Sequence, residues 1–494
     1  MTLTISSLPE FESPAVGGSM RWLCDYQRVL VNAFVDIEMT GFPFDTVQHQ
    51  QFIDDARVIY DEYEAKLRSD KDLKHYCTME DVDKKDFNLN SPTQLRKFMF
   101  ESKHGLCLEP SKFSKTTKAP STDKESLDKF AEDDVEFCKD LLVIRNFSKL
   151  LSSFGEPLLE FYSPMTGAIH PNYFLAKVVD GSGVSGGTAT GRLSCKNPNM
   201  QQIPKRDKDE KGVGLAGIDV RKSFVPLPGH ILVEADQSQV EVRVAGMYAK
   251  DDVMADFFKA GGDFHSRVAA QVFKKDYHIL EAARHLDTPV GKEAKKLRSA
   301  AKRFTFGLMF GMGLTKLTRQ SGLTEMEGLK FIDDYFATFP KFASWRENMI
   351  EQAKETGRVT TLFGRERVIN ISGYATEDGR EERIGINTPI QSAAADITLY
   401  GLARIWEWLV KGGYSTRILG TVHDSIILSV PIEEFNCVMQ KIVPMMMRPP
   451  GLEWLLDSVP VPLDVGVDVG FNFRDMAEIP VDDLMLGVNV STYL

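Results

Sequence analysis

Two aspartates sit where β-strands should end, and a basic-then-aromatic helix lies between them in the chain. Asp236 follows the apolar run Ile231-Leu232-Val233-Glu234-Ala235, and Asp424 follows Ile418-Leu419-Gly420-Thr421-Val422-His423. Two neighbouring strands could hold both carboxylates against two hard divalent cations about 3.5–4 Å apart. Between them, Arg298, Lys302, Phe306 and Phe310 recur every four residues. Each step turns about 400°, so the four drift by only about 120° and share one broad helix face. Arginine and lysine on adjacent turns can hold a triphosphate. Aromatic side chains beyond them can stack on a base and sugar. Metals, phosphates and a base together describe nucleotidyl transfer.

Each motif taken alone also admits a plainer reading. A strand-end aspartate most often caps the next helix, and an aspartate in a tight turn most often serves the turn. A Lys/Arg face over a core Phe face is an ordinary amphipathic helix. Thr188-Ala189-Thr190-Gly191-Arg192-Leu193-Ser194 and Asn197-Pro198-Asn199-Met200-Gln201-Gln202-Ile203-Pro204 read as surface loops or as minor-groove contacts by Arg and Gln. Asn387-Thr388-Pro389-Ile390-Gln391 admits the same two readings. Gly307 and Gly311 weaken a helix, which suits close approach or bending there. Asp36-Ile37-Glu38 has the DxE form of a metal-dependent exonuclease, but the strands and acidic partners of such a domain do not follow it. The two aspartates together are harder to dismiss than either alone, because both follow apolar strand patterns.

The elements that must position these residues are legible in outline. Residues 46–160 are charge-rich and mostly helical in pattern, broken at Asn88-Leu89-Asn90-Ser91-Pro92 and at Lys118-Ala119-Pro120-Ser121-Thr122. Ser91 with Pro92 at the first helical position, and Thr122 ahead of Glu125, read as helix starts. Residues 180–187 read as a flexible loop. Residues 231–235 read as a buried strand, and helical pattern dominates over 238–356 with a break at Gly261-Gly262. Residues 360–370 are extended around Gly364, and 386–409 are helical. Residues 418–430 form a hairpin with His423-Asp424-Ser425 at its turn.

The chain has 494 residues, enough for about two to four subdomains. With 43% hydrophobic and 26% charged residues it has an ordinary soluble, globular composition. No apolar run approaches the roughly 20 residues of a membrane helix. The N-terminus, Met1-Thr2-Leu3-Thr4-Ile5-Ser6-Ser7, lacks the basic and apolar regions of a secretory signal. Cys24, Cys77, Cys107, Cys138, Cys195 and Cys437 form no CxxC pair, which argues against zinc and for a reducing, cytoplasmic setting. A net charge of −11 runs against nucleic-acid binding in general, but potential acts locally. Lys292, Lys295, Lys296, Arg298, Lys302 and Arg303 form one basic stretch. Lys196, Lys205, Arg206, Lys208 and Lys211 form a second, and Lys112, Lys115 and Lys118 a third.

In this order the motifs resemble family A DNA polymerases, the group of bacterial DNA polymerase I and many phage replicases, over residues 34–475. Asp236-Gln237-Ser238-Gln239-Val240-Glu241-Val242-Arg243 is similar to the family's D-Y-S-Q-I-E-L-R. Arg298, Lys302, Phe306 and Gly307 match its R-x3-K-x3-[FY]-G, and Val422-His423-Asp424 matches its V-H-D-E less the glutamate. Residues 188–204 resemble T-x-T-G-R-L-S-S…P-N-L-Q-N-I-P, and 387–396 resemble N-T-P-I-Q-G-x-A-A-D. Residues 87–95, 115–122 and 145–150 look like the family's thumb, with Glu38, Gly41 and Asp45 in the segment entering it.

The resemblance implies an α+β right hand. An N-terminal segment, 1–45, would lead into a thumb over 46–165. A palm with an antiparallel sheet would span 166–245 and 370–494, around helical fingers over 246–369. It implies a template-directed DNA polymerase acting on primer–template DNA and dNTPs with two Mg²⁺ ions, Mn²⁺ being able to substitute. Asp236, Asp424 and the backbone carbonyl of Gln237 would hold the metals. Arg298, Lys302, His265 and Gln239 would grip the phosphates, with Lys302 the general acid toward pyrophosphate. Phe306 and Phe310 would pack on the nucleotide, and Glu241 under the sugar would exclude a 2′-OH. Arg192, Gln391, His423 and Asn387 would contact the primer end and minor groove, and Lys115 and Lys118 the DNA at the thumb. A 3′–5′ exonuclease domain would precede residue 34, where the sequence leaves no room for one. That minimal layout leans toward a phage or viral source, with separate proofreading or processivity proteins as partners to look for.

Several positions depart from the family pattern. Ser425 replaces the family's glutamate, so the resemblance does not supply a third carboxylate near the metals. Ser392 replaces a glycine. Phe310 replaces a tyrosine whose hydroxyl bonds the sugar-gate glutamate, so Glu241 loses that partner and ribonucleotide exclusion should weaken. Phe306 lacks the hydroxyl of a tyrosine near the sugar 3′ position, so dideoxynucleotides should be poor substrates. Two other readings compete. A single-subunit RNA polymerase is opposed by Glu241 and the thumb motifs. An inactive polymerase-like DNA-binding subunit is opposed by the intact aspartates and basic residues.

Overall fold

The computed structural model describes residues 20–494 except 84, 115–116, 181–182, 205–217, 262, 287, 322, 372–374 and 459–460. Lys115 and the basic residues Lys205, Arg206, Lys208 and Lys211 lie outside the described residues. Helix α1 (Met20–Thr40) leads into α2 (Thr46–Ser69), whose N-cap Asp45 accepts from the Val47 and Gln48 N–H groups. α2 packs along α3 (Glu136–Phe154), and short helices close over the pair around Leu73, Phe98, Leu127 and Leu141. One of them starts as expected: Ser91 accepts from the Gln94 N–H with Pro92 in the first turn. The other starts one residue later than expected. Asp123, not Thr122, accepts from the Ser126 N–H, because an ionised carboxylate is the stronger acceptor. Thr122 instead gives its carbonyl to Arg145.

β1 (His230–Gln237) is the central strand of a five-stranded sheet. Ile231, Val233 and Ala235 enter one apolar cluster and Leu232 enters another, as a side-chain period of two dictates. After β1 come α4 (Val240–Ala249), α5 (Phe264–Val272) and α6 (Pro289–Met309). Further on lie α7 (Ala375–Gly412), β2 (Arg417–Val422), β3 (Ser425–Pro431), α8 (Phe435–Met447), β4 (Val465–Gly470) and β5 (Met476–Ile479). The sheet order is β2-β3-β1-β4-β5, and every pairing is antiparallel. α8 packs on β1 and β4, and α7 joins it to α1 and α4.

The helical stretch after β1 breaks near Gly261 as expected, and again between Ala283 and Pro289 and after Met309. Gly311 takes φ +81° just beyond the α6 cap, a left-handed stop that favours glycine. Gly307 has Met312 packed where a Cβ would stand. The expected loop at 180–187 is corrected in part. Residues 178–180 and 183–185 pair as a short antiparallel hairpin, because Val178, Val179 and Val184 favour extended backbone. Arg358–Thr360 pairs with Glu366–Val368 around Gly364, as expected. Among the described residues no helix is long and apolar enough to cross a membrane.

Candidate active site

Backbone pairing brings the two aspartates together. Ser425, next to Asp424 in the chain, pairs opposite Asp236. The Gln237 N–H donates to the Asp424 carbonyl at 3.2 Å. Asp236 and Asp424 line one cleft of about 460 Å³. Asp236 does not cap the next helix: Gln239 stands at the N-cap of α4, in the left-handed region with φ 55°, and α4 has no side-chain cap. Burial pushes the Asp424 carboxyl above the usual carboxylate range, with Arg192 and His423 opposing. The Gln237 side chain is buried away from the cleft. Its amide donates to the Met446 carbonyl at 3.0 Å and accepts from Thr398 Oγ1 at 2.7 Å. What Gln237 offers the cleft is therefore its backbone. Carboxylates and a carbonyl are hard oxygen donors, a set that suits Mg²⁺. Among the described residues, no three His, Cys, Asp or Glu side chains converge into a closed metal cage.

The opposite wall is helical. Arg298, Lys302 and Phe306 of α6 line the same cleft, with His265 of α5 and Gln239. Ala301, Phe304, Thr305 and Leu308 are buried, so the cationic face is the one turned to the cleft. Phe310 lies past the helix end and stacks on Phe306 with ring centroids 5.9 Å apart. Arg298 is already held: its Nε donates to Asp263 Oδ1 at 3.0 Å and its Nη2 to Oδ2 at 2.6 Å. Burial opposes the Asp263 charge, but the Arg298 hydrogen bonds outweigh it and hold the carboxyl below its usual range. Asp263 also caps α5. Asp263 belongs to none of the sequence motifs, and its one signal is an aspartate directly ahead of a helical pattern. Gln239 Oε1 accepts from the Phe264 N–H at 3.2 Å, tying α4 to the first turn of α5. Lys302 is exposed and forms no ion pair among the described residues. His265 is 1% exposed, and neither ring nitrogen has a protein partner. Burial drops its pKa to about 4, so it is neutral at neutral pH.

Glu241 is buried in α4 and paired with Arg192. Burial raises its carboxyl above the usual range and Arg192 opposes. Phe310 offers Glu241 no hydroxyl, as the sequence implies, and the partner that Glu241 has instead is the Arg192 guanidinium.

A family model described as DNA polymerase family A matches residues 60–475. The chain belongs to DNA polymerase family A. DNA polymerase I of Caldicellulosiruptor bescii is 30% identical over 457 residues, covering 91% of this chain and 47% of that protein. DNA polymerase I of Pseudomonas aeruginosa is 34% identical over 400 residues, covering 80% of this chain and 39% of that protein. The family A chain thus spans less than half the length of these relatives. Among solved structures, the polymerase domain of Pol1 from M. smegmatis, in complex with DNA primer–template and dNTP, shares the fold. The TM-score is 0.75 at 24% identity, over 92% of this chain and 72% of that one. The α+β right hand with an antiparallel palm sheet is the fold observed.

The other residues carried over from family A are more scattered. Arg192 and His423 line a small adjoining cleft of about 50 Å³. Asn387 and Gln391 lie part-buried on α7, and Asn387 Oδ1 has no protein partner. Lys118 is exposed, with φ 56°. Asp36 and Glu38 serve the fold. Trp406 Nε1 donates to Asp36 at 3.0 Å, and the Tyr173 N–H donates to Glu38 at 2.6 Å. Arg243, given no role from sequence, is 4% exposed and donates to the Ser238 and Pro462 carbonyls. It fastens the turn after Asp236 to the chain entering β4.

Proposed function

We propose that the chain is a template-directed DNA polymerase that adds dNTPs to a primer 3′-OH by two-metal nucleotidyl transfer. The observation that carries the reading is the convergence of Asp236, Asp424, Arg298, Lys302, His265 and Phe306 on one cleft. Asp236, Asp424 and the Gln237 carbonyl would hold two Mg²⁺ ions, with Mn²⁺ able to substitute, whose Lewis acidity activates the 3′-OH and stabilises the leaving pyrophosphate. Lys302 meets the phosphates directly and donates a proton to the pyrophosphate. Arg298 spends its Nε and one Nη2 donor on Asp263, and a guanidinium has five N–H donors. It therefore contacts phosphate while still anchored. His265, kept neutral by burial, donates one ring N–H to a phosphate oxygen. Phe306 stacks on the nucleotide with Phe310 behind it. Glu241, held by Arg192, closes the space beneath the sugar.

Arg192, His423, Gln391 and Asn387 face the primer end, and Lys118 holds duplex from a thumb over 46–165. Palm over 166–245 and 370–494 and fingers over 246–369 complete the assignment. Six free cysteines fit a reducing, cytoplasmic setting. The test is extension of a labelled primer–template with Mg²⁺ and dNTPs, beside Asp236→Ala. Extension by the wild type alone, with DNA bound by both, supports the reading. Tight binding without extension by the wild type would point to a non-catalytic subunit, and preference for rNTPs to an RNA polymerase.

A further inference from the structure

We propose that Glu234 supplies, from the neighbouring strand, the carboxylate that this chain lacks after Asp424. It would be a positioning residue for the metal-binding aspartates, and the inference rests on the polymerase reading above. Where the family pattern has a glutamate after the turn aspartate, this chain has Ser425. Ser425 pairs opposite Asp236, so the two side chains leave the same face of the sheet. Glu234 lies two residues back along β1 and leaves that face too. Contact closes the diagonal. Ser425 Oγ lies 3.1 Å from Glu234 Oε1 and 3.0 Å from the Val422 carbonyl. Ser425 is 1% and Glu234 9% exposed. A serine in place of a glutamate opens room beside Asp424, and Glu234 reaches toward it from β1.

The sheet also sets Glu234 beside other carboxylates. Asp468 of β4 pairs directly opposite Glu234, and Glu478 of β5 lies opposite Asp468. Like charges directly opposite one another destabilise a sheet. Arg221 is a cation whose charge interacts favourably with Glu234. Among the described residues Glu234 joins no three-residue cage; its contact with the Ser425 hydroxyl, together with its charge, is the route to the turn that carries Asp424.

The test is an exchange: Glu234→Ser, Ser425→Glu, and the double variant. Glu234→Ser should slow primer extension and raise the Mg²⁺ concentration for half-maximal rate, each by about tenfold. Ser425→Glu alone should also slow extension, because two carboxylates then crowd one space. The double variant should return to within about threefold of wild type, since contacting pairs couple. Mn²⁺ titrated into the enzyme–primer–template complex without dNTP, followed by electron paramagnetic resonance, reads the same change independently of turnover. Additive losses in the double variant, or an unchanged metal midpoint in Glu234→Ser, would overturn the proposal. Melting curves report whether each variant folds; where Glu234→Ser does not, Glu234→Gln keeps the shape and carries the same comparison. A wild type that fails to extend primers would count against the polymerase reading itself, and the Mn²⁺ titration would still decide the role of Glu234.

Discussion

On the sheet side of the cleft, Asp236 and Asp424 are placed by backbone pairing between β1 and the β2–β3 turn. On the helical side, Arg298 is placed by a side-chain partner, Asp263. The difference has a consequence for chemistry. Strand register changes only in whole-residue steps, so the sheet fixes the backbone positions of the two aspartates relative to each other. An ion pair can share its partner with an incoming phosphate. On the proposed reading the metal side is rigid and the phosphate side adjustable, and Lys302 and His265 would meet substrate with no protein partner to give up.

The sharpest way to break this contrast is Asp424→Asn. We expect primer extension to fall by at least about 10³-fold, the equivalent of several kcal/mol of metal stabilisation. DNA binding should persist in a gel-shift assay. Burial raises the Asp424 carboxyl, so its charge costs stability at neutral pH, and the melting temperature should hold or rise. A large drop would mean that the carboxylate, not the backbone, organises the turn.

Lys302→Ala and Arg298→Ala should separate on the helical side. Lys302→Ala should slow extension by about 10²–10³-fold with an unchanged melting curve. Arg298→Ala strands Asp263 as a buried charge and should cost about 3 kcal/mol of stability, partly restored by adding Asp263→Asn. Equal melting losses for the two would erase the distinction between free and anchored cations.

His265 gives a pH signature. Its folded pKa of about 4 lies below the ordinary value of 6.5. Between those values the unfolded chain takes up a proton that the folded chain excludes. Stability is therefore fully present above pH 6.5 and declines as pH falls toward 4, by about 2 kcal/mol at pH 5. His265→Gln should flatten that part of a melting-temperature profile, and an unchanged acid slope would place the sensitivity elsewhere. Smallest are the aromatic exchanges. Phe310→Tyr should sharpen discrimination against rNTPs by about fivefold, one hydrogen bond's worth, in competition with Arg192 for Glu241. Phe306→Tyr should improve dideoxynucleotide use to a similar degree. Equal discrimination by wild type and Phe310→Tyr would show that Arg192 already does the tyrosine's work.

Much of the fold was legible because its signals are local. The Ser91–Pro92 helix start, the apolar run of β1 and the 418–430 hairpin each depend on residues within a turn or strand of one another. The same locality explains the misses. Thr122 and Asp123 are both good caps, adjacent in the chain, and the Asp123 carboxylate is the stronger acceptor of the two. The hairpin at 178–185 is too short for its alternation to show beside so many glycines.

For the site, spacing along the chain determined that Arg298, Lys302 and Phe306 share a face, and that the aspartates follow strand patterns. Tertiary structure decided who holds whom. Arg298 meets Asp263 across 35 residues, Arg192 meets Glu241 across 49, and Ser425 meets Glu234 across 191. Hydrogen bonds and ion pairs act through space at contact distance, so a linear pattern can name the donors and acceptors while only the folded sheet and helices determine which of them touch.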